Sequence, residues 1–200
     1  LEKLGFSDAE VQGGGLKVIT TLDKNMQDAA VATAQKYTEQ AASSAKPKQD
    51  ASKLHAAVAS VDTATGGVLA MYGGPDYSKD SRNWSTTPRP AASTFKSFAA
   101  AAGLRNGYSL DTRIALGAAE VSPLNMANAY ATFADSGRRK ETHFVSKVLD
   151  RNGNVVYEAK NEATQGIEEN VAANVTSALT SVVEEEGGTG AKASALNRPV

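Results

Sequence analysis

The sequence predicts an α+β fold, with antiparallel strands flanked by helices. Pairs of short β-prone runs are joined by turn residues at Thr63–Gly67 and again at Arg151–Asn154. Segments beginning near Lys24, Pro123 and Glu169 repeat apolar residues at helical spacing. Strands and helices intermingle without the βαβ rhythm of a parallel sheet, which favours antiparallel pairing.

The elements follow in order. Gly13-Gly14-Gly15 predicts a linker over 1–15, because glycine loses the most backbone entropy on ordering. Leu16, Val18, Thr20 and Leu22 alternate with Lys17, Ile19, Thr21 and Asp23, as a strand requires, and Thr21 or Asp23 is placed to cap the next helix. That helix runs from Lys24 to about Glu39, with Met26, Ala29, Ala30, Thr33, Ala34 and Tyr37 on one face. Gln40 to Lys53 has no apolar period and predicts a solvated loop.

Ala56–Asp62 and Val68–Gly73 form the first strand pair, and Gly73–Pro90 is an irregular loop. Ser93 or Thr94 then opens an almost uniformly apolar, hence buried, helix ending near Gly103. Ser122-Pro123, an N-cap followed by proline in the first turn, starts a helix running to Gly137. Phe144–Asp150 and Val155–Ala159 flank Asn152-Gly153 as a hairpin, and a last helix spans about Glu169 to Glu185 before Gly187-Gly188.

A chain of 200 residues with 41% hydrophobic content can bury a core. Its formal net charge of −1, from 21 basic and 22 acidic residues, gives no electrostatic footprint for nucleic acid or an anionic membrane. There is no cysteine, and His55 and His143 are too far apart for a zinc motif, so neither metal nor cofactor is expected. No run approaches the roughly 20 apolar residues of a membrane span, and Leu1–Glu10 has no signal pattern, so any anchor is expected outside this chain.

A serine three residues before a lysine can carry acyl-transfer chemistry, and the pattern occurs as Ser43–Lys46 and as Ser93–Lys96. Chance alone gives about one match in a chain of this composition, so context decides. Ser43 lies in the expected polar loop, whereas Ser93 heads an apolar helix that holds its hydroxyl still. Helical spacing puts Lys96 on the same face as Ser93, and the helix N-terminus favours developing negative charge. Burial would strip hydration from Lys96 and favour the neutral amine that a general base needs. A bland reading makes Ser93 an N-cap and Lys96 a snorkelling side chain. Among other motifs, Gly187–Lys192 lacks phosphate-loop spacing, Glu184–Glu186 reads as a solvated charge run, and His143 has no nucleophile elbow beside it.

Arg82–Lys96 resembles the approach to the nucleophile helix of class A penicillin-binding proteins, especially actinobacterial ones. Gly14–Asp23 resembles the family's leading strand, Ala57–Gly74 the hairpin before the nucleophile, and Leu116–Tyr130 the later helix. The resemblance implies a penicillin-binding protein/serine β-lactamase-like transpeptidase fold over residues 16–200, with Leu1–Gly15 as its tether. It implies peptidoglycan D,D-transpeptidation, with Ser93 as the acylated nucleophile and Lys96 as its base. Implied partners are D-Ala-D-Ala stem peptides, lipid-linked precursor products and β-lactams. The parent protein would be membrane-anchored on the extracytoplasmic face, with a glycosyltransferase domain before Leu1.

Two departures accompany this. The family's Ser-x-Asn motif follows the nucleophile, but the match here, Ser81-Arg82-Asn83, precedes it; an internal gap near 111–114 is expected where the motif would stand. No Lys-Thr-Gly or Lys-Ser-Gly tripeptide occurs, although Gly188–Val200 resembles the run-up to it. The alternatives are a non-catalytic cell-wall binding or scaffolding module of the same fold, and a D,D-carboxypeptidase or β-lactamase-type hydrolase.

Overall fold

The computed structural model describes residues 1–109 and 117–196. They fall into two compact units, one built from Leu1–Ser85 with Glu141–Glu162, the other from Thr86–Lys140 with the chain from Ala163 onward.

The first unit begins with a 3-10 turn, Glu2–Leu4, and helix α1, Asp8–Gly13, where the glycines predict only a linker. Ser7 and Glu10 account for the helix: the Glu10 carboxylate accepts from the Ser7 N–H at 2.8 Å while the Ser7 hydroxyl accepts from the Glu10 N–H, a capping box. Strand β1, Lys17–Thr20, leads to Asp23, whose carboxylate caps helix α2, Lys24–Ser44, by accepting from the Met26 N–H at 2.8 Å. The helix outruns its expected end at Glu39 because alanines favour it and Ala42 is buried.

Strands β2, Val58–Val61, and β3, Val68–Tyr72, form the expected hairpin, and Ala70 and Tyr72 pack on Ala30 and Ala34 of α2. The Asp62 carboxylate holds the turn by accepting from the Thr65 N–H at 2.8 Å, and Gly66 takes φ 78° there. The Gln27 amide binds both backbone groups of Met71 at 2.9 and 3.0 Å, covering that edge of β3 as a neighbouring strand would. Ser85 is fully buried and donates to the carbonyls of Val58 and Tyr72, stapling the two strands. The Asn152-Gly153 turn joins β7, Val145–Leu149, to β8, Val155–Glu158, and β1 pairs antiparallel with β7.

In the second unit β4, Arg89–Ala92, pairs with β5, Gly117–Val121. A 3-10 turn, Ser93–Phe95, then runs into helix α3, Lys96–Arg105. Helix α4, Pro123–Ala134, is capped by the Ser122 hydroxyl as its Ser-Pro signal predicts, and it stops short of Gly137. Strands β6, Arg138–Lys140, and β9, Ala163–Gln165, pair antiparallel, and helix α5 spans Glu169–Glu184. The core joins Ala101, Phe133, Val171, Ala172 and Val175, with Phe98 and Tyr130 packed against it.

The fold is α+β with antiparallel pairing in every named ladder. Among the described residues the strands divide into one three-stranded and three two-stranded sheets. No described helix is long and apolar enough to cross a membrane. The expected gap near 111–114 lies outside the described residues.

Candidate active site

The two residues singled out in the sequence lie within one turn. The N–H of Lys96 donates to the carbonyl of Ser93, closing the 3-10 turn that precedes α3. With three residues per turn, side chains at i and i+3 eclipse, so Ser93 and Lys96 rise from the same face. Both are exposed, and neither side chain has a hydrogen-bond partner among the described residues.

This corrects two expectations. The α-helix starts at Lys96 rather than at Ser93 or Thr94, because the segment before it winds more tightly. Nor is the helix buried all round: only Ser97 and Ala101 are buried, and the desolvation expected at Lys96 is absent. Small side chains let α3 lie against α5 on one side while its N-terminal end stays open to solvent.

The turn is held on several sides. Ala92, immediately before Ser93, has φ 48° and ψ −133°, a region that costs a non-glycine residue roughly 1–3 kcal/mol and persists only where the surroundings over-determine it. The Thr94 hydroxyl donates to the Ala91 carbonyl. From α4 the Tyr130 hydroxyl donates to the Thr94 carbonyl at 2.9 Å and meets the Ser97 hydroxyl at 2.6 Å. Phe98 packs edge-on to Tyr130, with centroids 5.4 Å apart, and against Phe133 at 5.1 Å. An exposed serine and lysine thus stand on a turn fixed from below by aromatic packing, an arrangement in which a hydroxyl can be presented to an incoming carbonyl.

Ala92, Ser97 and Tyr130 were not identifiable as site residues from sequence, since nothing in an apolar helical period distinguishes a tyrosine that reaches a neighbouring turn. The competing pattern, Ser43–Lys46, sits at the exposed end of α2, where the Ser43 hydroxyl donates to the Gln40 carbonyl at 3.0 Å. Ser81-Arg82-Asn83 belongs to the first unit, and its Asn83 side chain accepts from the Ser85 N–H at 2.9 Å. His143 joins the first unit through its backbone: its carbonyl accepts from the Val68 N–H at 2.9 Å and from the Thr21 hydroxyl at 3.2 Å.

A mixed fold of antiparallel ladders and helices that presents a serine–lysine turn suits the serine acyltransferase class. The family model described as the penicillin binding protein transpeptidase domain matches residues 56–116 and 109–198, and the chain belongs to that family.

Penicillin-binding protein 1A of Mycolicibacterium smegmatis is 26% identical over 265 residues, covering 90% of this chain and 32% of the relative. Penicillin-binding protein 2D of Bacillus subtilis is 24% identical over 259 residues, covering 92% and 36%. The chain therefore spans about a third of the length of these curated relatives. Among solved structures, the penicillin-binding protein PonA1 of Mycobacterium tuberculosis aligns with TM-score 0.76 at 23% identity, over 92% of this chain and 67% of that one. The same protein solved with penicillin V aligns with TM-score 0.73 at 22% identity, over 92% and 68%.

Proposed function

We propose that the chain carries the acyl-transfer site of a peptidoglycan D,D-transpeptidase, with Ser93 as nucleophile and Lys96 as its base. The observation that carries this reading is the Ser93–Lys96 turn, set behind the strained Ala92, in a chain of this family. Lys96 takes the hydroxyl proton as the Ser93 oxygen bonds to the carbonyl between two D-alanines. The peptide C–N bond then breaks, and the departing D-alanine amine carries away a proton. An amine of a neighbouring stem peptide attacks the ester, releases the serine oxygen and completes the cross-link. A β-lactam acylates the same oxygen by ring opening.

In this reading the parent protein works on the extracytoplasmic face of the membrane, with a glycosyltransferase domain before Leu1 and Leu1–Gly15 as tether. We also infer that a segment carried by relatives is lacking near 111–114. Two facts support this: the family match comes in two stretches overlapping at 109–116, and the alignment to the M. smegmatis relative runs over 265 residues although this chain has 200.

A second reading, a non-catalytic module that keeps the fold, is favoured by the exposure of Lys96. Labelled penicillin separates the two. The transpeptidase reading expects a covalent adduct on the peptide holding Ser93, abolished by Ser93→Ala and formed about a hundredfold or more slowly in Lys96→Met. An unlabelled Ser93 in a full-length protein would leave the scaffold reading.

A further inference from the structure

We propose that the first unit carries a second binding site, a groove for a linear oligosaccharide, bounded by α2, the 51–56 segment and the 73–84 loop. It does not depend on the acyl-transfer chemistry, which lies in the other unit. The groove encloses about 440 Å³ and is walled by Glu39, Leu54, His55, Asp76 and Trp84, within the roughly 300–1,000 Å³ range of small-molecule sites. Thr38, Leu54, His55 and Ala56 also line an adjoining hollow of about 390 Å³ along α2, so the depression is elongated.

Its surface alternates ring planes with hydrogen-bonding groups. His55 is exposed and stacks on Trp84, centroids 4.1 Å apart and planes 23° from parallel, and the Arg82 guanidinium lies over the Trp84 ring 5.1 Å from its centroid. The ring planes left to a ligand are therefore those of His55 and of Tyr37, which stands 61% exposed at the adjoining hollow. The Gln35 amide and Glu39 carboxylate project from one side of α2 without a partner among the described residues.

The charges decide the class of ligand. Asp76 is already engaged by the Ser78 hydroxyl at 2.6 Å and by Lys79 at 3.4 Å, and Asp80 accepts from the Arg82 N–H at 3.0 Å. A cation would find one uncommitted carboxylate, Glu39, with Lys79 in the same wall; an anion would face three carboxylates. A neutral ligand with many hydroxyls, each both donor and acceptor, satisfies the amide and carboxylate together and lays its apolar ring face on an aromatic plane. The length of the depression selects a chain of such rings over a single one.

Trp84 is the only tryptophan, so its emission reports on this wall alone. The full chain would be titrated with cello- and chito-oligosaccharide tetramers, their monomers and tetralysine, following fluorescence and calorimetric heat. A saturable response to at least one tetramer, stronger than to its monomer and weakened about tenfold or more in a Gln35→Ala/Glu39→Ala double variant, supports the site. Both substituted positions are exposed on α2, and circular dichroism confirms that the helix persists. A response to tetralysine alone, a tetramer response that the double variant leaves unchanged, or no heat and no emission change with any sugar overturns it.

Discussion

Tyr130, on α4, donates its hydroxyl hydrogen to the carbonyl of Thr94, a residue inside the turn that carries Ser93 and Lys96. Position and packing are coupled through that one atom, because the same hydroxyl meets Ser97 at 2.6 Å while the ring packs on Phe98. Tyr130→Phe keeps the ring and removes the donor. Expected are a loss of about 1 kcal/mol in stability and a slower acylation of Ser93 by penicillin, read by denaturant unfolding and by adduct formation against time.

Ala92 tests whether backbone strain orients the proposed nucleophile, Ser93. At φ 48° a glycine sits without a Cβ penalty. Ala92→Gly should therefore leave the protein as stable as before or raise its stability by about 1 kcal/mol, since relief of strain outweighs the added freedom of the unfolded chain. Acylation should slow, because the Ser93 hydroxyl samples more directions. Thermal unfolding and acylation kinetics on one sample check both halves; Ala92→Val should lose stability instead.

Ser85 concerns only the first unit. Its fully buried hydroxyl serves the Val58 and Tyr72 carbonyls, and Ser85→Ala leaves both short of a donor. A loss of about 1–3 kcal/mol is expected, seen as a lower denaturant midpoint and faster hydrogen exchange in β2 and β3.

Asp135 should contribute to acid sensitivity. The hydrogen bond from the Lys140 ammonium holds its carboxyl below the usual range, with Arg138 adding to the effect and burial opposing it. A carboxyl depressed in the folded state stabilises above its unfolded value, near 3.9, and that contribution fades as pH falls through the folded value. Asp135→Asn should therefore be less stable than the parent at pH 7, with the two unfolding midpoints converging below about pH 4. Midpoints that stay equally far apart from pH 7 to pH 2 would contradict this.

The parts of the fold written in local pattern could be read beforehand. The Ser122-Pro123 helix start, the Asn152-Gly153 hairpin and the Val58–Val61/Val68–Tyr72 pair all appear where turn chemistry and periodicity place them. β4, β5, β6 and β9 did not, because each is short and holds its place through a distant partner: Arg89 pairs with Val121, and Arg138 with Gln165. Ser7-x-x-Glu10 did carry a readable signal for α1, overshadowed by the glycines after it. At the candidate site, residue spacing predicts Ser93 and Lys96 on one helical face, and the structure sets Ser93 in a 3-10 turn with Lys96 opening the α-helix. Their exposure depends on which side of α3 meets α5, and no tetrapeptide encodes that.

The pairing of Lys17 with Leu149 has a consequence for synthesis. During translation β1 emerges long before its mate, and at about 5–20 residues per second it waits on the order of ten seconds with an open edge. Much of the second unit is spelled out in that interval, so the nascent chain has to tolerate a half-built sheet. Slow codons or a ribosome-bound chaperone acting between residues 85 and 141 would change the yield of native protein more than the same delay placed after residue 162.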